Sequence, residues 1–158
     1  MDTQTLELVG QHRLASELLQ AGLEVAFPAR DRGVDLIAYL DVDPESDRFV
    51  AKPIQLKAAS RRSFGVWKKY GKFHDLILAY VWHLDGQQPA ETYALSQPEA
   101  LAVGQEMGYL ETVSWKEGGG YGTTRPSARL IELLKPYRMS AKKWRDKVIG
   151  AHQEPLLK

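Results

Sequence analysis

The unbroken apolar run Leu76-Ile77-Leu78-Ala79-Tyr80-Val81-Trp82 constrains this chain more than any other segment. It makes Phe73 to Leu84 the most strand-like stretch, and it is far too short to span a membrane. Val34 to Asp41 carries a second apolar run, of the kind found in strands buried on both faces. Arg48 to Ala58 reads as a strand returning from a hairpin loop at Asp43-Pro44-Glu45-Ser46. Pro53 within it lacks a donor and suits a bulge or an edge. Leu23 to Pro28 and Ala90 to Leu95 add two more strands. Leu6, Val9, Leu14, Ala15, Leu18 and Leu19 recur with helical spacing, which predicts a helix over Thr3 to Ala21, stopped by Gly22. Ser96-Gln97-Pro98-Glu99 is a capping box that opens a helix to Met107, stopped by Gly108. Pro126 to Lys135 reads as a helix with Pro in its first turn and Leu130, Leu133 and Leu134 inward. Ser140 to Ile149 is a shorter basic helix. The order is α-β-β-β, a basic insertion, then β-β-α and more helix. Its economical packing is an α/β domain with a central mixed β-sheet flanked by helices.

The chain has 158 residues, 44% hydrophobic and 26% charged. That supports one domain with a real core, expected over residues 1–150, with 151–158 a frayed tail. There is no cysteine, so disulfides and thiolate metal sites are excluded. No signal-like segment is recognised at the N-terminus, so the expected location is cytoplasmic. The net charge of +1 hides an asymmetry. Met1 to Asp47 carries ten acids against Arg13, Arg30 and Arg32. Arg48 to His74 carries no acid at all, but holds Arg48, Lys52, Lys57, Arg61, Arg62, Lys68, Lys69 and Lys72. Such a window suits phosphate neutralisation, and it also suits a solvated loop balanced by the acidic first third.

Two of the strands carry chemistry. Asp35 lies in Gly33-Val34-Asp35-Leu36-Ile37, and Gln55-Leu56-Lys57 ends the stretch after Pro53. If the two strands pair, a carboxylate, an amide oxygen and an ammonium meet at one end of a sheet. Hydrolysis of a phosphodiester needs a deprotonated water and an offset for charge developing on the phosphate. A hard cation such as Mg²⁺, or Mn²⁺, supplies both when oxygen ligands hold it. Asp35 offers a charged oxygen, and the Gln55 side chain and Leu56 carbonyl offer neutral ones. Lys57 shares a strand face with Gln55, where its ammonium can orient water or steady the transition state. On the helix, Gln11 falls within the stripe of Leu14, Ala15 and Leu18, and a buried amide needs a partner. Glu17 falls outside that stripe and is expected to be solvent-exposed.

Gly10-Gln11 opening a helix, Gly22-Leu23-Glu24-Val25, Gly33-Val34-Asp35-Leu36-Ile37 and Ile54-Gln55-Leu56-Lys57 together resemble the PD-(D/E)xK nuclease superfamily. The resemblance is to the branch of archaeal Holliday-junction resolvases and small intron-encoded endonucleases, and it covers the first third to half of the chain. It implies a restriction-endonuclease-like α-β-β-β-α-β core and a metal-dependent endonuclease acting on double-stranded or branched DNA. It makes Asp35 the motif's first acid and Lys57 its lysine. Gln55 stands where the second acid usually is, and Gln11 where many members carry a helix glutamate. Val34 replaces the motif's proline. With two glutamines in acid positions, one formal negative charge remains for the metal. A catalytically inactive protein of the same fold, binding nucleic acid or serving as an assembly subunit, is the alternative. A homodimer is the expectation for a small nuclease that must reach both strands.

Arg61, Arg62, Lys68, Lys69 and Lys72 are the candidate nucleic-acid contacts. Phe64, Trp67 and Tyr70 interleave with them, either to stack on bases or to anchor the segment to the core. Trp115, Lys116, Gly118-Gly119-Gly120 and Tyr121 form either a substrate flap or a plain connection. Lys135, Arg138, Lys142, Lys143, Arg145 and Lys147 form either a second DNA-facing patch or a solvated helix. His12, His74, His83 and His152 show no helical metal spacing, and no Ser-His-Asp hydrolase arrangement is recognised.

Overall fold

The computed structural model describes residues 1–40 and 49–150. The expected hairpin loop at Asp43 to Ser46, Arg48 and the 151–158 tail lie outside the described residues. The architecture is α/β, with a five-stranded mixed sheet flanked by helices. The first helix, α1, spans Thr3–Gln20 and is capped by Asp2, whose side chain accepts from the Thr5 N–H at 2.8 Å. Strands β1 (Glu24–Ala26), β2 (Leu36–Tyr39) and β3 (Ala51–Ala58) form an antiparallel meander. Strand β4 (Phe64–Trp67) and a 3-10 turn at Lys68–Lys72 follow, before β5 (Ile77–Trp82) returns parallel to β3. Strand β6 (Glu91–Ser96) pairs antiparallel with β5 and closes the sheet order β1-β2-β3-β5-β6. Helix α2 (Gln97–Glu106) starts from the Ser96–Glu99 capping box. Helix α3 (Val113–Gly118), strand β7 (Gly120–Thr123), α4 (Ala128–Leu134) and α5 (Ala141–Ile149) complete the chain. No described helix is long and apolar enough to cross a membrane.

The apolar runs explain the layering. In β5, Ile77, Ala79 and Val81 enter one core, with Leu14 and Leu18 of α1 and Trp144 of α5. Leu78, Tyr80 and Trp82 enter the other, with Val103 of α2, Leu130 of α4 and Phe64 of β4. A strand covered on both faces has no place for a polar residue, which is why the run is unbroken. Gly10 sets how close α1 lies to the sheet. A Cβ there would sit 3.0 Å from the Ala58 Cβ and 3.3 Å from the Leu56 Cδ2.

Several expectations are corrected by the packing. Val9 and Leu19 are exposed, so the buried stripe of α1 is Gly10, Leu14, Ala15 and Leu18. The basic insertion, Ser60–Gly71, shows no clear periodicity in sequence, yet it is not irregular. It contains β4, which pairs antiparallel with β7 more than fifty residues later (Phe64↔Thr123, Trp67↔Gly120). Strand β4 is held to the main sheet and to the start of α2 by side chains instead of a ladder. Tyr80 Oη donates to the Gly65 carbonyl at 2.7 Å, Trp82 Nε1 to the Ser63 carbonyl at 2.7 Å, and Gln97 Nε2 to the Trp67 carbonyl at 2.7 Å. Phe73, His74 and Asp75 precede β5 and are exposed, and α4 begins at Ala128, capped by Ser127. Pro53 sits in an interior strand opposite Ile37. The β3–β5 ladder begins one residue later, at Ile54↔Ile77, so its missing N–H faces a locally free edge.

Glu17 is the largest correction on α1. It is not a solvated helix residue. Its carboxylate accepts from Thr92 Oγ1 of β6 at 2.7 Å and from Trp144 Nε1 of α5 at 3.2 Å. Both donors belong to buried residues. Glu17→Ala strands them, and an unsatisfied buried donor costs about 1–3 kcal/mol. The expected loss of unfolding free energy in urea is therefore about 2–4 kcal/mol, with Glu17→Gln losing clearly less because it keeps an acceptor.

Candidate active site

The site is built where β2 begins and β3 runs past it. In the antiparallel pair, Leu36 faces Ile54 and Ile37 faces Pro53. Leu36 and Ile54 point into the α1 core, so Asp35, Gln55 and Lys57 fall on the opposite face. The Asp35 N–H donates to the Ile54 carbonyl at 2.8 Å. The next β3 residue on that side, Leu56, lies beyond the start of β2. Its N–H is taken up by the Asp35 side chain, Oδ2 accepting at 2.7 Å. One side chain thus replaces the missing ladder partner and is fixed in place by doing so.

Gln11 reaches the same spot from the other layer. It lies near the middle of α1, not at its start, and its Nε2 donates to the Asp35 backbone carbonyl at 3.1 Å. The buried-amide expectation is met by a backbone partner. Gln55 Nε2 makes a long contact to the Leu56 carbonyl at 3.4 Å, and its Oε1 is buried with no hydrogen-bond partner among the described residues. That orphaned oxygen, on a residue that shares a cleft lining with Asp35, is the kind of acceptor a hard cation would satisfy.

A cleft of about 360 Å³ opens here, with Glu7, Gln11, Asp31, Asp35, Gln55 and Leu56 among its walls. Glu7 is the residue the sequence reading missed. It precedes Gln11 by four residues, one helical turn, and so lies on the same side of α1. Its charge acts on both Asp35 and Lys57. The signal was present in that spacing, but Glu7 lies outside the apolar stripe and is exposed. Asp31, in the turn before β2, acts on Asp35 as well. The Asp35 carboxyl is held above its ordinary range, chiefly by burial, against the Leu56 N–H, with Asp31 and Glu7 adding repulsion.

Lys57 stands in an aromatic corner. Its Nζ lies 4.3 Å from the Trp67 ring centre and 4.9 Å from that of Tyr70. Burial, with Lys69 nearby, brings its ammonium down to about 8, opposed by Asp35 and Glu7. The shelf under it depends on glycine. A Cβ at Gly65 would fall 2.6 Å from Trp67 Cη2, and one at Gly120 would fall 2.5 Å from Trp67 Cδ1. Gly120→Ala therefore pushes the indole off its ladder. It is expected to cost about 1–3 kcal/mol by overpacking, and to return Lys57 toward an ordinary lysine value in an NMR titration of its Nζ. Phe64 is fully buried against Tyr80, with ring centres 4.9 Å apart, so it anchors the segment. Trp67 packs against that core too, and carries Lys57.

The basic insertion divides between two places. Lys69 lies by Tyr70 and Lys57, Lys68 lies over Trp115, and Lys72 is exposed on the same 3-10 turn. Arg61 and Arg62 sit instead beside the β5–β6 hairpin. The glycine triplet is a helix end running into a strand. Gly118 closes α3, Gly119 caps it at φ +76°, and Gly120 starts β7. The C-terminal cations are engaged within the protein. Arg145 Nη1 donates to the Ala21 carbonyl at 3.3 Å, Lys143 Nζ to the Pro136 carbonyl at 3.0 Å, and Lys147 pairs with Glu99.

Among the described residues, no group of three or more His, Asp or Glu side chains is arranged to hold a metal ion. The residues lining this cleft offer one carboxylate (Asp35), one orphaned amide oxygen (Gln55) and one backbone carbonyl (Leu56), with Glu7 also in its wall. Comparison with protein-family models, with curated proteins and with solved structures finds no match for this chain.

Proposed function

We propose that this chain is a metal-dependent endonuclease of the PD-(D/E)xK type, hydrolysing phosphodiester bonds in DNA. One observation carries the reading: Asp35 and Gln55 line one cleft, with Gln55 Oε1 buried and unpartnered, while Lys57 lies two residues on along the Gln55 face of β3, outside the cleft lining and against Trp67 and Tyr70. The element order α1-β1-β2-β3 with a parallel β5 supports a restriction-endonuclease-like core. Where the resemblance implies a helix between β3 and β5, this chain runs through β4 and a 3-10 turn instead.

The residues fit Mg²⁺ or Mn²⁺. The Asp35 carboxylate, Gln55 Oε1 and the Leu56 carbonyl would hold it, and Glu7 raises the negative charge beyond the single carboxylate the motif retains. When bound, such a cation supplies an ionised water and offsets charge on the phosphate. The chain's own residues do the rest. Lys57 places its ammonium against the scissile phosphate, where the charge develops. Gln11 and the Leu56 N–H hold Asp35 from two sides, so its carboxylate needs no reorganisation. Lys68, Lys69 and Lys72 flank this side and would neutralise neighbouring phosphates. Assembly as a two-fold dimer would let two such sites reach both strands.

Incubating the purified protein with plasmid, linear and branched DNA in Mg²⁺ or Mn²⁺, beside Asp35→Ala and Lys57→Ala, tests the proposal. Cleavage lost in both variants supports it. Tight DNA binding without cleavage, unchanged in both variants, identifies a non-catalytic binding protein and overturns it.

A further inference from the structure

A second concavity, of about 470 Å³, lies beside the β5–β6 hairpin, and its chemistry is opposite in sign. Arg61 and Arg62 reach it from the segment after β3, Arg125 from the loop after β7, and His83 and Asp85 from the hairpin. Three arginines and one carboxylate, that of Asp85, line it, and Asp85 already pairs with Arg61 at 3.6 Å. The three arginines are exposed. Arg62 rests over the Trp82 ring at 5.9 Å.

His83 is the fixed part. It is 95% buried, being 5% exposed, and its Nε2 has no hydrogen-bond partner among the described residues. Its backbone holds φ at +63°, the one non-glycine residue with positive φ among those described. That conformation is uncommon outside glycine, although His, Asn and Asp tolerate it best. The turn is pinned by the His83 N–H donating to the Arg61 carbonyl at 2.7 Å and by the Gly86 N–H donating to the His83 carbonyl at 3.3 Å. The same residues that set the pocket's wall therefore set the imbalance. An unpaired imidazole nitrogen is costly to bury, and strained backbone collects where a ligand is held.

We propose that this pocket binds a phosphoryl group. Planar guanidinium forks and an imidazole N–H are the donors that match a tetrahedral oxyanion, and this pocket is lined by three arginines and the buried His83. The site is separate from the Asp35 cleft, shares no lining residue with it, and does not depend on cleavage. The phosphoryl group can come from a nucleic-acid end or from free phosphate.

The test uses the full chain, labelled with ¹⁵N, following the His83 imidazole while orthophosphate is added, beside sodium chloride at matched ionic strength. A saturable shift in orthophosphate alone is expected. Arg62→Gln and Arg125→Gln are each expected to weaken it about tenfold, the loss of one charge-assisted hydrogen bond. His83→Asn, which tolerates the positive φ and removes the imidazole reporter, is read by isothermal titration calorimetry with orthophosphate, and should abolish the tight mode while preserving the fold. A short DNA duplex with a 5′-phosphate, compared with its 5′-hydroxyl form, separates the sources: preference for the phosphorylated end assigns a nucleic-acid end, and equal binding of the two forms beside tight orthophosphate binding assigns free phosphate. Equal shifts in both salts, or both arginine variants titrating like the wild type, overturn the proposal. Asp35→Asn should leave the titration unchanged, so failure of the nuclease reading and failure of this one are told apart.

Discussion

Asp35→Asn is expected to slow DNA cleavage at least ~10²-fold while leaving the fold in place. Asparagine keeps an oxygen to accept from the Leu56 N–H, now met at 2.7 Å by Oδ2, so the start of β2 stays tied to β3. What it removes is the formal charge beside Gln55 Oε1. Asp35→Ala removes both, and is expected to cost about 1–3 kcal/mol of stability as well, because the Leu56 N–H is left unpaired in a partly buried place. Rates on supercoiled plasmid, read beside thermal melts of the two variants, separate the two roles. The acid side of the pH profile should report the same residue. The Asp35 carboxyl titrates above the ordinary carboxylate range, chiefly through burial. Activity should therefore begin to fall at a higher pH than an exposed aspartate would give.

Lys57→Met is expected to reduce cleavage by a similar factor of ~10² with little change in DNA affinity, because the ammonium acts where charge develops in the transition state. Methionine preserves most of the stem packed against Trp67 and Tyr70. Burial and Lys69 bring the ammonium down to about 8, so the protonated form is the major one at pH 7 and is lost as pH rises through about 8. The rate should fall on that alkaline side. Lys57→Arg should remove the alkaline fall while lowering the rate, since a guanidinium stays charged but does not fit the same aromatic corner. A rate that climbs through pH 8 would instead mean that a neutral amine is the working form.

Much of the fold was legible because local rules sufficed. The run from Leu76 to Trp82 is apolar because both faces of β5 are covered, and that reading needs no partner. The Ser96–Glu99 box and the end of α1 at Gly22 follow from capping chemistry alone. What was not legible lies in pairings between distant segments. Strand β4 reads as irregular because its ladder partner is β7 and its other edge is held by the Tyr80, Trp82 and Gln97 side chains. Glu17 looked solvated because the helical wheel ranks faces by apolar content, whereas Thr92 and Trp144 come to it from far along the chain.

The site divides the same way. Asp35, Gln55 and Lys57 were recognisable because strand alternation fixes their common face once the hairpin is assumed. Glu7 was not, because its role depends on which turn of α1 crosses the start of β2, and the close approach at Gly10 sets that. The basic insertion read as one patch. A chain that folds β4 between Arg62 and Lys68 carries its cations to two places.

Electron paramagnetic resonance of Mn²⁺ titrated into the protein, with a short DNA duplex present to supply phosphate, reads the claimed convergence most directly. The free-ion signal should be lost in a saturable way with the wild-type chain, much less with Asp35→Asn, and at an intermediate level with Glu7→Gln. Equal Mn²⁺ uptake by all three proteins would contradict a cation held between Asp35 and Gln55.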